Sequence, residues 1–160
     1  EEDEFIDKDI NIRDYLHEII SSFKEISKKE FVFNFDQDSN PKKISKSIEI
    51  VYGLRNFIGN ANKFAKNSIF INLKSDSEFT EITVEDDGNG YPRDIISKIG
   101  EPYLKSNYSK DKSKEGLGLG LFIGKTLLEK NFASVNCRNS KTRSGAEVII
   151  RWKNKELFNI

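Results

Sequence analysis

From Gly116 to Leu121, glycine alternates with leucine, and the alternation runs without a break into a helical pattern from Phe122 to Glu129. A flexible linker does not interleave glycine with leucine. Three bare backbone positions leading into a helix leave N–H groups exposed at its N-terminus, where the helix dipole favours an anion. A phosphate cradle is therefore the reading to test, and two familiar ones can be tested directly. The dinucleotide fingerprint needs a glycine at position 121, where Leu121 stands. Gly124-Lys125-Thr126 imitates the end of a P-loop, but that motif needs glycine at 119, where Leu119 stands. Lys125 also falls inside the amphipathic helix. Both standard readings fail, so a cradle here belongs to some other fold.

The rest of the chain supplies helices and strands for one domain. Asn11 is suited to cap a helix in which Ile12, Tyr15, Leu16, Ile19, Ile20 and Phe23 share a face. Phe31, Phe33 and Phe35 alternate with Val32 and Asn34, as in a strand. Residues 38–41 read as a turn, and a second long helix is expected from Ser47 to Lys66. Strands follow near Ile69–Leu73 and Phe79–Glu85, then a short helix at Pro92–Ile99. The stretch Gly100–Gly116 is a long polar loop rich in Lys and Ser, a length that is usually functional. A third long helix is expected over Leu117–Asn131. Strands at Ala133–Cys137 and Ala146–Trp152 close the pattern. This order predicts an α+β fold, a mixed sheet of about five strands covered by three helices on one side.

Two places could carry chemistry beside the glycine run. On the second helix Val51, Leu54, Ile58, Ala61 and Ala65 form an apolar stripe, and Asn56, Asn60 and Lys63 form a polar one roughly opposite. A solvated face would explain the polar stripe, yet asparagine is a poor helix former. An amide oxygen can ligate Mg2+, and Lys can meet a phosphate. Asp86-Asp87-Gly88-Asn89-Gly90 follows a strand directly, and a plain turn would also account for it.

Composition narrows the partners. Lys plus Arg number 26 and Asp plus Glu 26, so no net field draws the chain to nucleic acid or a membrane surface. No apolar run approaches the ~18 residues of a membrane span. The single Cys137 excludes an internal disulfide and a thiolate metal cluster, and the expected compartment is the cytoplasm. No methionine is present, so the chain lacks an initiator and reads as a piece of something larger.

Taken in order, these pieces resemble the GHKL ATPases (gyrase, Hsp90, MutL and histidine kinases), and the histidine kinases most. Asn56-Phe57-Ile58-Gly59-Asn60-Ala61-Asn62-Lys63-Phe64 looks like the N box, and Asp86 to Gly90 like the G1 box. Glu101-Pro102-Tyr103-Leu104-Lys105-Ser106 resembles the F box, and Gly116 to Leu121 the G2 box. Tyr52-Gly53-Leu54 and the run Phe122 to Glu129 are similar to RegB/PrrB-type kinases.

The resemblance implies a Bergerat fold, a two-layer sandwich with Mg-ATP held between the N box and the lid. It divides the chain into residues 1–10 as linker or end of an upstream hairpin, 11–153 as the catalytic ATP-binding domain, and 154–160 as a tail. It makes Asn60 the side-chain ligand of Mg2+, with Asn56 and Lys63 in catalytic places beside the phosphates. Phe64 would pack on adenine, and Asp86 would accept from the adenine amino group, favouring ATP over GTP. Gly88 and Gly90 would let the backbone approach the nucleotide. Gly116, Leu117, Gly118, Leu119 and Gly120 would cradle the phosphates, with Lys105 and Lys112 reaching the nucleotide. Lys112 stands where some relatives carry Arg, a swap that loses bidentate geometry. Hydrolysing relatives place a water-activating Glu where this chain has Asn56, an amide that cannot be a general base. Water attack should then be slow, and the γ-phosphate would await an imidazole.

That imidazole is not expected in this chain. His17 is the only histidine, the residues after it do not continue a phospho-acceptor box, and it lies too near Asn60 for a hairpin to fit between. His17 is read as a helix residue of structural or surface role, and Cys137 as a small apolar residue. The expected partners are the dimerisation and phospho-acceptor hairpin of the same kinase and a response regulator, the fragment itself being monomeric and its parent anchored in the bacterial inner membrane. Two alternatives stand beside this. An anti-sigma-type serine kinase would share the fold, but Asn56 argues against it because serine attack wants a base. A nucleotide-sensing pseudokinase is disfavoured by the intact Asn60, Asp86 and three glycines.

Overall fold

The structure, a computed structural model, describes residues 9–36, 43–45, 47–96 and 117–157. The first element, β1 (Asp9–Asn11), pairs antiparallel with β3 (Lys43–Ser45) in a small two-stranded sheet. Strands of three residues are too short to leave a period in the sequence, and neither was expected. Helix α1 (Ile12–Lys24) starts where Asn11 accepts a hydrogen bond from the Arg13 N–H at 2.8 Å. Its face Ile12, Tyr15, Leu16, Ile19 and Ile20 is buried, as its spacing predicts, while His17 is exposed.

A five-stranded sheet forms the floor. Its order is β2 (Glu30–Phe35), β4 (Ser68–Ser75), β5 (Phe79–Asp86), β7 (Ala146–Lys153) and β6 (Ser134–Asn139). β2 runs parallel to β4 and the other neighbours are antiparallel, so the sheet is mixed. The parallel pair needs a crossover, and α2 (Ile48–Phe64) provides it. One face of the sheet presents Ile69, Ile71, Leu73, Ile82, Val84, Val148, Ile150 and Trp152, all buried. α1, α2 and α4 (Leu117–Lys130) lie over the sheet on that side. This is the α+β two-layer sandwich the GHKL resemblance implies. Glu81, Lys74 and Arg151 meet side by side on the uncovered face, because strand side chains alternate between faces.

The chain's second long helix ends two residues before Lys66, and the apolar face is set slightly differently from the expected stripe. Ile50, Leu54, Phe57, Ile58 and Ala61 are buried, while Val51 is half-buried. Tyr15 locks α1 to the start of α2, its hydroxyl accepting from the Ser47 N–H at 2.6 Å and donating to the Ser47 carbonyl at 3.0 Å. The short helix α3 (Arg93–Ile96) follows the G1-like loop. Residues 97–116 lie outside the described residues, and with them the expected long loop. Asn154–Leu157, left in a tail by the sequence reading, form the helical turn α5, whose Leu157 is buried. Asn154 holds that turn to the β4–β5 connection, donating to the Asp76 carbonyl at 2.8 Å and accepting from Thr80 Oγ1 at 2.7 Å. No helix among the described residues is long and apolar enough to cross a membrane.

Candidate functional site

Asp86 is the last residue of β5, and its side chain points toward α2 rather than water, with 3% of its surface exposed. Its Oδ1 accepts from the Gly88 N–H at 2.8 Å and from the Ala146 N–H at 3.3 Å. Burial pushes its carboxyl pKa up, against the pull of those two N–H groups, and the neighbouring charges of Asp87 and Glu85 add to the rise. A buried carboxylate at a strand end, held by one oxygen, is suited to accept a hydrogen bond from a ligand amine.

A cleft opens over it. Asn60, Ala61 and Phe64 of α2 form one wall, and Val84, Asp86 and Val148 of the sheet form the floor. Gly90, Tyr91 and Pro92 of the following loop close another side. The hollow encloses about 680 Å³, open solvent at its mouth included, within the range of small-molecule sites. Its lining is mostly apolar with a few convergent polar groups, the pattern such sites share. Asn60 and Asp86, 26 positions apart in the sequence, thus line one cavity.

Glycines let the walls close. A Cβ on Gly88 would stand 2.2 Å from the Phe64 carbonyl oxygen, so the loop after β5 lies directly against the end of α2. α4 approaches α2 in the same way. A Cβ on Gly53 would meet Leu128 at 2.7 Å and one on Gly124 would meet the Phe57 ring at 2.8 Å. Towards the N-terminus of α4, Gly120 faces Asn60, where a Cβ would lie 3.1 Å from Nδ2. The glycine run therefore ends beside the amide that the N-box resemblance singles out.

Asp87, beside the site residue, does a different job. Its Oδ1 accepts from the N–H groups of Lys66, Asn67 and Ser68 at 2.8, 3.0 and 3.2 Å. These bonds turn the chain out of α2 and into β4, which is why the helix stops short of Lys66. Although what burial it has works the other way, the N–H bonds from Asn67, Ser68 and Lys66 hold the Asp87 carboxyl below the usual range. Asp87→Ala is expected to cost about 1–2 kcal/mol in urea unfolding, since three N–H groups lose their acceptor. A carboxyl with a lowered folded pKa stabilises above its unfolded value and loses that contribution as pH falls through the folded one. The gap between the unaltered protein and Asp87→Ala should therefore shrink in acid.

Of the residues singled out from sequence, Asn60, Phe64, Asp86 and Gly90 line the cleft, and Gly88 underlies it. Asn56 and Lys63 are not among its lining. Asn56 Nδ2 donates to the Tyr52 carbonyl of its own helix at 2.7 Å, and Lys63 Nζ lies 5.3 Å from the Phe64 ring centre. Leu117, Gly118, Leu119 and Gly120 form the first turn of α4, with Leu119 38% exposed. Lys105, Lys112 and Gly116 lie outside the described residues. Lys125 pairs with Glu129 along the helix at 3.7 Å, away from any loop.

Sequence reasoning passed over Tyr91, which is buried in the cleft wall. Burial drives its phenol pKa well up, and burial likewise raises the thiol of Cys137 to about 11. Cys137 is half-buried rather than fully enclosed, and at that pKa it stays a thiol at neutral pH. Gly145 and Ala146, which touch Asp86, were also missed. The position of Tyr91 just after the last G1 glycine was the available sign for the first, and nothing local marks the other two.

The residues present fit a magnesium ion carried in with phosphates. Asn60 Nδ2 is buried with no hydrogen-bond partner among the described residues, and a buried orphan amide calls for an explanation. Which end of an amide is oxygen is settled by its partners, so the same side chain can present Oδ1 to a cation. No group of three or more His, Cys, Asp or Glu among the described residues could hold a metal. A metal here would have to be hard, keep its waters and take phosphate oxygens, which is the habit of Mg2+.

Comparisons with known proteins agree with this geometry. The family described as histidine kinase-, DNA gyrase B-, and HSP90-like ATPase matches residues 45–156. Sensor histidine kinase RegB of Cereibacter sphaeroides is 39% identical over 97 residues, covering 58% of this chain and 21% of RegB. A putative NtrY-like sensor histidine kinase of Rickettsia bellii is 31% identical over 106 residues, covering 64% of this chain and 16% of that protein. The chain thus spans about a fifth of the length of these relatives. Among solved structures, the catalytic domain of histidine kinase ThkA superposes with a TM-score of 0.75 at 21% identity, over 91% of this chain and 96% of that one. The last likeness speaks to fold alone.

Proposed function

The chain belongs to the histidine kinase-, DNA gyrase B-, and HSP90-like ATPase family, and from that premise we propose that its cleft binds Mg-ATP and that the domain passes the γ-phosphate to a histidine on a separate helical hairpin. The observation that carries this reading is the convergence of Asn60 and Asp86 on one cavity whose neighbouring helix brings Gly120 against Asn60. Asp86 accepts from the adenine amino group, and Phe64 lies along the purine. Guanine would set a carbonyl against the buried carboxylate, leaving two acceptors face to face. Asn60 would hold Mg2+, which when bound with the nucleotide would supply charge neutralisation for the transferring group. By the family resemblance, the glycine run Gly116, Gly118 and Gly120 would give backbone N–H groups to the phosphates, and Lys63, Lys105 and Lys112 would supply positive charge.

Transfer breaks the bond from the γ-phosphorus to the β–γ bridging oxygen and forms an N–P bond on the incoming imidazole, with ADP leaving. The chain's own residues position and neutralise. Asn56 has no carboxylate with which to activate water, and one of its two amide N–H groups is held by the Tyr52 carbonyl of its own helix. Stored ATP should therefore survive until the acceptor arrives. The RegB likeness, at 39% identity, supports a place in two-component signalling with a response regulator and a membrane-anchored parent.

Calorimetry with ATP and GTP, each with and without Mg2+, tests the binding. ATP should bind with an affinity that Mg2+ strengthens, GTP should bind at least ~100-fold more weakly, and ATP turnover by the isolated chain should be slow. Equal affinity for the two nucleotides would end the adenine assignment. Addition of a RegB-type histidine hairpin should then yield acid-labile phosphate on the hairpin.

A further inference from the structure

Asn139 ends β6 and does not line the cleft, yet its side chain grips the loop that does. Its Oδ1 accepts from the Tyr91 N–H at 2.6 Å, and its Nδ2 donates to the Tyr91 carbonyl at 3.1 Å. A side-chain amide thus pairs with both backbone groups of one residue, as a neighbouring strand would. The preceding residue is built around this contact. Gly90 has φ +78°, and a Cβ there would stand 2.7 Å from Asn139 Oδ1. Only glycine takes that backbone angle without strain and leaves the amide its space.

The hairpin that Asn139 opens also grips the loop's other end. The Ala146 N–H donates to Asp86 Oδ1, and Ser144 Oγ donates to the Gly88 carbonyl at 3.4 Å. Residues 139–146 therefore hold Asp86 at the entry and Tyr91 at the exit, with Gly88, Asn89 and Gly90 slung between. None of this is needed for the sheet, since Asn139 already pairs with Ala146 through the backbone.

We propose that Asn139 is a positioning residue for the nucleotide, its amide fixing Gly90 and Tyr91 at the base end of the cleft without touching the ligand. The proposal rests on the reading of the cleft as an ATP site. A leucine of similar size would leave the half-buried Tyr91 N–H and carbonyl without their side-chain partners. An aspartate would keep the acceptor for the N–H but turn a second oxygen toward the carbonyl. Because the clamp acts on the base end, the loss should be the same for ATP and ADP and independent of Mg2+.

The test measures ATP and ADP affinity by calorimetry, with and without Mg2+, alongside thermal unfolding. Asn139→Leu should weaken both nucleotides by roughly tenfold, the scale of losing two ordering hydrogen bonds. Asn139→Asp should weaken them by a smaller factor, roughly threefold, as a partial rescue. Val135→Ala, on the same strand but away from the loop, should lower Tm and leave affinity unchanged. A folded Asn139→Leu with unchanged affinity overturns the clamp, and so does a loss seen only with Mg2+ or only for ATP. If Asn139→Leu does not fold, Asn139→Asp decides, and unchanged affinity there overturns it. Failure of the unaltered chain to bind ATP overturns the underlying reading and the clamp together, whereas binding with indifferent variants removes the clamp alone.

Discussion

Asp86→Asn is expected to abolish ATP binding while leaving the fold as stable as before, or more so. The two effects separate because the carboxylate has two ends. Oδ1 is taken by the Gly88 and Ala146 N–H groups, and asparagine keeps an oxygen there. The other end faces the cleft, where asparagine would present an N–H to an adenine amino group, donor against donor. Affinity should fall by roughly 100-fold or more. Stability moves the other way. Burial raises the folded pKa of Asp86 above its unfolded value of about 3.9. Such a group stabilises fully below the unfolded value, and that contribution is lost as pH rises through the folded one. At neutral pH the buried charge is a cost that asparagine removes. Thermal unfolding across pH should show the variant level with the parent in acid and above it near neutrality. Retained ATP affinity in this variant would sink the adenine assignment.

Gly145→Ala should do the opposite, breaking fold and site together. A Cβ at Gly145 would stand 2.0 Å from the Asp86 carbonyl oxygen and 2.3 Å from its Oδ1. No flexible side chain can yield there. β5 is held between β4 and β7 along its length, so its end cannot withdraw without breaking strand pairs. The expected loss is about 3 kcal/mol or more, at the upper end for overpacking, with ATP affinity falling because Asp86 is displaced. Gly59→Ala is the matched comparison. Its Cβ would meet nothing nearer than 3.6 Å, on the Phe23 ring, and alanine within a helix gains about 0.5–1 kcal/mol over glycine. Urea unfolding of the two variants should move in opposite directions. A Gly145→Ala protein that unfolds at the parent's urea midpoint would refute the close contact.

The buried faces of α1 and β7 follow directly from apolar spacing. The Val148, Ile150 and Trp152 face is buried as its alternation predicts. α2 shows the limit of such reasoning. Its polar stripe is real, yet Asn60 lines the cleft while Asn56 folds back on Tyr52, and the two differ only in what α4 and the sheet set opposite them. The helix end was also misplaced by two residues, since the carboxylate that stops it comes from Asp87, on the far side of a hairpin.

By itself the sequence determined which residues turn inward, where the backbone is left bare by glycine, and which side chains are able to meet a nucleotide. Those are local matters, decided by period, side-chain chemistry and the missing Cβ. Only the tertiary structure decided that Asp87 would anchor the chain after α2, that Gly145 would lie flat on Asp86, and that Asn139 would grip Tyr91. Each of these joins segments far apart along the chain. The bond is set by strand register and helix approach, which no single stretch of residues encodes.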